Sequence, residues 1–189
     1  MGWASGTAVD YNDDQQPDSL NAFGVMLNVA YEYHKTKAFV DVLYASGDNA
    51  IKSNRLNGFM LLNRNRRPGL ILGRELLGNF YGNDVGRGSL MYYGDTNSLP
   101  GAFYVRPGLR VDWSQSWATG LEFIIAQKAA TPPGQSSNLG LEIDLGTDHA
   151  FYKNFDLGLT LGYLFPGAGL GVADPKGVFA VRGTASVKF

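Results

Sequence analysis

"FDLGLTLGYLF" (155–165) places Phe155, Leu157, Leu159, Leu161, Tyr163 and Phe165 at every second position, with Asp156, Gly158, Thr160 and Gly162 between them. A period of two is the period of a strand, because successive side chains leave a pleated backbone on opposite faces. One face of this strand is wholly apolar. The other is small and polar, which suits the inside of a narrow curved sheet; a sheet facing bulk water prefers Lys, Thr and Glu.

The same alternation continues on both sides of the stretch. Upstream, Leu139, Leu141, Ile143 and Leu145 oppose Gly140, Glu142, Asp144 and Gly146. Over 117–128, Trp117, Leu121, Phe123 and Ile125 oppose Ala118, Gly120, Glu122 and Lys128. Over 102–113, Phe103, Val105, Leu109, Val111 and Trp113 oppose Tyr104, Arg106, Gly108, Arg110 and Asp112. Ala38, Val40, Val42 and Tyr44 form one face of 37–47, and Phe23, Val25, Leu27, Val29, Tyr31 and Tyr33 one face of 20–34. Downstream, "VFAVRGTASVKF" (178–189) carries Phe179, Val181, Val187 and Phe189 at odd positions, with Arg182, Thr184, Ser186 and Lys188 between. A weaker eighth segment reads at 2–11, with Trp3, Val9 and Tyr11 on one side.

A soluble sandwich and a membrane barrel both have one apolar face per strand, so alternation alone does not separate them. Other features do. The segments are longer than the usual ~5–6 residues and near the ~9–11 that a tilted membrane strand needs. Tyr31, Tyr33, Trp113, Trp117, Phe155, Tyr163 and Phe165 sit near strand ends, where interfacial aromatics collect. Connections alternate in length: 34–36, 114–116 and 148–153 are short, while 12–19, 49–101, 129–137 and 166–176 are long. Outer-membrane barrels have short periplasmic turns and longer external loops. The expected fold is therefore all-β: an antiparallel up-and-down transmembrane β-barrel of about eight strands, one domain over 1–189, with a long external connection at 49–101.

Bulk composition fits. The 189-residue chain has a formal net charge of -1 and a pI of about 6.1, so no global basic field recruits nucleic acid. Cysteine is absent, which removes disulfides and thiolate metal sites. Glycine numbers 25 and aromatics make up 13%, a turn-rich and strand-rich balance. Mean hydropathy of -0.13 does not argue against a barrel, whose polar lumen dilutes the average.

Little of the sequence suggests catalysis. The two histidines, His34 and His149, fall in predicted turns and read as solvated. "GAGLG" (167–171) has no following helix to bind phosphate and reads as a flexible external loop. "DYNDD" (10–14) clusters three carboxylates, which loop solvation explains better than calcium does. No catalytic residue, metal or cofactor is expected. Glu122, Glu142, Asp144 and Asp156 are expected to face Arg106, Arg110 and Arg182 across the interior as shape-holding ion pairs.

The connection 49–101 is too long for a plain loop. It carries Lys52, Arg55, Arg64, Arg66, Arg67, Arg74 and Arg87 against Glu75, Asp84 and Asp95, with the apolar runs "FMLL" and "LIL". Two readings fit: it folds inward as a constriction, or it hides a hairpin near 57–63 and 70–80.

"YASGDN" (44–49), followed by "FMLLNRN" (59–65) and "RPGLILGRELLG" (67–78), resembles the C-terminal half of barrels in the alginate-export porin family. The resemblance spans roughly 37–113. It implies a many-stranded monomeric barrel that passes an anionic polysaccharide through a basic lumen. On that likeness the chain is a truncated or C-terminal part of a larger barrel. The terminal Phe189, after an alternating strand, resembles the signal of Gram-negative outer-membrane proteins that the barrel-assembly machinery reads.

The functional expectation is a porin-like channel of the bacterial outer membrane, passing small or anionic solutes, saccharides among them. The expected solute-facing set is Arg64, Arg66, Arg67, Arg74, Arg106, Arg110, Glu122, Glu142, Asp144 and Arg182, with Phe189 as the assembly signal. Expected partners are outer-membrane lipid, the assembly machinery, and a missing N-terminal part or partner chain that completes the wall. A non-conducting structural barrel and a soluble β-barrel that binds a ligand are the alternatives.

Overall fold

The computed structural model describes residues 1–7, 19–47, 55–56, 69–72, 101–151, 154–170, 174 and 176–187. Every segment with a period of two becomes a strand. These are β1 (Gly2–Thr7), β2 (Ser19–Tyr33), β3 (Thr36–Ala45), β5 (Ala102–Asp112), β6 (Trp117–Gln127), β7 (Asn138–Phe151), β8 (Phe155–Pro166) and β9 (Val178–Val187). A two-residue β4 (Arg55–Leu56) runs parallel to the start of β2. The others form one antiparallel up-and-down sheet in the order β1-β2-β3-β5-β6-β7-β8-β9. Pro107 lies inside β5, and the β5–β6 ladder skips it and Arg106, since proline has no N–H to donate.

The short connections tighten the sheet at one end. His34 takes a left-handed conformation (φ 52°) in the turn from β2 to β3. The last short turn is smaller than predicted, because β7 runs on to Phe151. His149 is therefore a strand residue and not a turn residue. Its ring packs on the apolar face between Trp117 (centroids 4.8 Å apart) and Phe151 (4.1 Å).

One departure from the simple alternation lies at the start of β7. Ala126 pairs with Gly140 and Gln127 with Asn138, so Leu139 is an extra residue in a β-bulge. The bulge turns Leu139 away from Leu141 and Ile143, with which it was expected to share a face, and buries it on the opposite side at 1% exposure. Gly140 makes this possible with φ 121°, a conformation open essentially to glycine alone. The expected flexible loop at 167–171 is packed against the sheet over its described part, 167–170. Ala168–Leu170 is a short 3-10 turn, Gly167 donates its N–H to the Leu139 carbonyl at 3.1 Å, and Gly169 is buried.

The burial pattern is the reverse of a soluble sheet's. Phe23, Leu27, Val29, Leu109, Phe123, Ile125, Leu145, Leu159, Phe165, Phe179 and Val181 are exposed, Leu27 at 56% and Phe179 at 62%. Asp41, Glu142 and Asp144 are buried on the other face. That face is concave. Arg106 on β5 and Arg182 on β9 stand four strands apart, about 19 Å on a flat sheet, yet both line one cavity of about 270 Å³.

The expected closure into a barrel does not occur. Among the described residues β1 pairs in antiparallel fashion only with β2, and β9 only with β8, so both outer edges of the sheet are unpaired. The concave face accounts for this. It already holds backbone from 69–72, against β7, and an apolar layer formed by Leu43, Ala45, Leu72, Ala102, Tyr104, Ile124, Ala126, Leu139 and Leu164. An eight-stranded barrel has an interior just wide enough for the side chains of its own strands.

Candidate functional site

The concave face divides into three levels along the strands. At the end of the long connections lies the apolar layer just described. Below it runs a charged belt, and beyond that a bowl of about 860 Å³ opens at the short-turn end, lined in part by His34, Lys35, Asp112, Asp156, Thr184 and Ser186.

The belt is built from cross-strand neighbours. Asp41 on β3 stands opposite Arg106 on β5 and opposite Asn28 on β2. Arg106 Nε donates to Asp41 Oδ2 at 2.9 Å, its Nη2 donates to the same oxygen, and Asn28 Nδ2 donates to Oδ1. Arg106 Nη1 reaches Glu122 Oε2 at 3.4 Å, and the guanidinium lies over the Phe39 ring, 5.3 Å from its centroid. Arg110 donates to Asp148 (2.9 Å) and to Asp112 (3.2 Å). Of the four acids expected to pair with the interior arginines, Glu122 does so, with Arg106. The other ion pairs of Arg106 and Arg110 go to Asp41, Asp112 and Asp148, which were not expected.

Glu142 and Asp144 are engaged differently. Both point inward from β7, and they accept backbone N–H groups rather than arginines. Leu70 donates to Asp144 Oδ2 at 2.7 Å, Ile71 to Glu142 Oε1 at 2.6 Å and Leu72 to Glu142 Oε2 at 2.6 Å. Asp144 Oδ1 is buried with no hydrogen-bond partner among the described residues. Arg182, opposite Thr160, has no ion-pair partner within 4 Å among the described residues and stands at the cavity wall with Glu122 and Asp144. Arg64, Arg66, Arg67, Arg74, Phe189 and the 10–14 carboxylates lie outside the described residues, as does most of the hairpin considered at 57–63 and 70–80. Among the described residues no group of three or more His, Asp or Glu is placed to hold a metal ion.

Sequence reading missed Asp41 and Asp148 as site residues. The signal was present for Asp41, which shares the inward parity of β3; Asp148 was misread as part of a turn. The Leu70–Leu72 contacts had no signal, since backbone N–H groups leave no side-chain signature.

The belt's energetics are testable by contrast. Asp41 is 6% exposed, so Asp41→Asn removes a buried charge that is the main partner of the half-buried Arg106 and is expected to lower stability by about 1–3 kcal/mol. Glu32 pairs with Lys37 at 2.6 Å but on an exposed surface, so Glu32→Gln is expected to cost under about 1 kcal/mol. Denaturant midpoints of the two variants in the same detergent compare them directly; equal losses would remove burial as the distinguishing cause.

The chain matches no protein-family model, and no curated protein is significantly similar to it.

Proposed function

We propose that this chain forms the wall of an outer-membrane channel, a porin-like passage for small or anionic solutes, saccharides among them. The observation that carries this reading is the inversion of burial: apolar side chains cover the exposed face of strand after strand, and charged ones are buried on the concave face. Exposed apolar surface on this scale marks a face that meets something other than water. Lipid is the simplest partner for a continuous apolar band on strands of this length. A soluble ligand-binding barrel would place these faces the other way round.

The outer edges of β1 and β9, unpaired among the described residues, belong to the same reading. Further strands, from another part of the polypeptide or from a partner chain, complete the wall. Assembly through Phe189 and residence in a Gram-negative outer membrane follow from the same proposal, as does the likeness to alginate-export porins. No catalytic role is proposed.

Selectivity in this reading comes from charges that are not already paired. Arg106 and Arg110 are engaged with carboxylates. Attraction of anions is therefore assigned to Arg182, and on the sequence alone to Arg64, Arg66, Arg67 and Arg74 of the long connection, which lie outside the described residues. In a low-salt planar bilayer the parent should conduct with modest anion preference. Replacing Arg64, Arg66 and Arg67 together with Ser should move the reversal potential toward cations. A parent without conductance would overturn the channel reading in favour of the structural barrel, and an unchanged reversal potential would remove these arginines from selectivity.

A further inference from the structure

We propose that the Gly69–Leu72 segment sets the largest solute the passage admits, and that Glu142 is the positioning residue that holds it in place. The inference rests on the channel reading and assigns its size limit to named residues.

Three consecutive backbone N–H groups of the segment point at two carboxylates that stand two residues apart on one strand. Glu142 uses one oxygen for Ile71 and the other for Leu72, which fixes the carboxylate plane as well as the distance. Hydrogen bonds to an ionised acceptor are shorter and roughly twice as strong as neutral ones. The approach leaves no room for a side chain at the first residue: a Cβ on Gly69, whose φ is 80°, would lie 2.6 Å from Glu142 Oε2. Gly162 on β8 also leaves room at this contact, since a Cβ there would stand 2.6 Å from Asp144 Oδ1 and 3.2 Å from the Cβ of Leu70. Leu72 anchors the far end, fully buried among Leu43, Tyr104, Ile124 and Leu164.

The segment is thus fixed to β7, rests on β8, and is plugged into side chains of β3, β5 and β6. It stands where the concave face changes from apolar layer to charged belt. Gly69 itself forms part of the wall of the 270 Å³ cavity, across from Arg106, Arg110 and Arg182. In the channel reading, a solute moving along this part of the concave face passes beside this backbone and those arginines, which share one cavity wall. A packing brace needs only apolar contact, whereas two buried carboxylates spent on three N–H groups cost desolvation and return positional precision. Precise position is what a size limit requires.

The test compares the parent with Glu142→Gln in liposomes, using swelling rates in neutral sugars from mono- to tetrasaccharide. Glutamine keeps the volume but offers one acceptor oxygen, so one of the two N–H groups loses its partner. Amide exchange at Ile71 and Leu72 should then accelerate about tenfold. Tetrasaccharide entry, relative to monosaccharide, should rise severalfold. Faster exchange with an unchanged size limit would overturn the proposal while leaving the channel reading intact. Absence of flux in both proteins would overturn the channel reading, and the inference with it. Should Glu142→Gln fail to fold, Asp144→Ala removes the acceptor of Leu70 alone and must shift the limit in the same direction; no shift overturns the assignment.

Discussion

In lipid vesicles Leu159→Arg is expected to fold with a stability about 2–4 kcal/mol below the parent, while Thr160→Arg costs far less. The two residues are neighbours in β8, and their side chains leave opposite faces of the sheet. Leu159 is 45% exposed on the apolar face, between Thr147 on β7 and Gly183 on β9, so a guanidinium there meets hydrocarbon if that face meets lipid. Thr160 stands on the concave face at the wall of the small cavity, where Asp144 and Asp148 are near enough to receive a second cation. Proximity to Arg182 works against that, which is why the cost is small rather than zero. Folding free energies from urea titration in vesicles decide the matter. Equal losses for the two variants would sink the assignment of the apolar face to lipid.

Gly140→Ala is expected to lose about 3 kcal/mol, the sum of an unfavourable backbone conformation and a collision. The new Cβ would lie 2.2 Å from the Phe165 carbonyl oxygen and 2.9 Å from the Gly167 nitrogen, both backbone atoms that cannot move aside without distorting β8. Gly134 provides the control, for its φ is 80° but a Cβ there meets nothing within 4 Å. Gly134→Ala should therefore show the conformational part alone, about 1 kcal/mol. If the two substitutions cost the same, the collision is not what keeps position 140 a glycine.

The strands were legible because a period of two is a direct imprint of the pleat. The pattern FDLGLTLGYLF could not be read as a helix, and its neighbours repeated it. Pairing of Arg106 with Glu122 was legible for the same reason, since both have inward parity on adjacent strands; the partners of Arg110, Asp112 on its own strand and Asp148 two strands away, were not. The bulge was hidden. Leu139, Leu141, Ile143 and Leu145 alternate without a break, and only the backbone of Gly140 reveals that Leu139 has crossed to the other face. His149 was misplaced because strand ends depend on pairing with a neighbour, here Trp117 on β6, and not on local composition. The contact of Leu70–Leu72 with Glu142 and Asp144 joins residues some seventy positions apart through backbone groups, so no local pattern announces it. Open edges were equally out of reach, because an even strand count permits closure but does not compel it.

The adjacency of β3 and β5 has a consequence for how the chain assembles. Apart from the short β4, every other pair of neighbouring strands in the sheet is also consecutive along the chain, so each can zip from a nearby reversal. The β3–β5 seam cannot, because residues 46–101 intervene. Bringing its two sides together costs about 1.5 kcal/mol more chain entropy than closing a loop the size of 128–137. The sheet is thus two fast-zipping leaves joined along one slow weld, with Asp41 on one leaf and Arg106 on the other. Attachment of Leu70–Leu72 to β7 divides the intervening length and draws the leaves together, so a defect at Glu142 should be felt first as delay at a joint it does not touch.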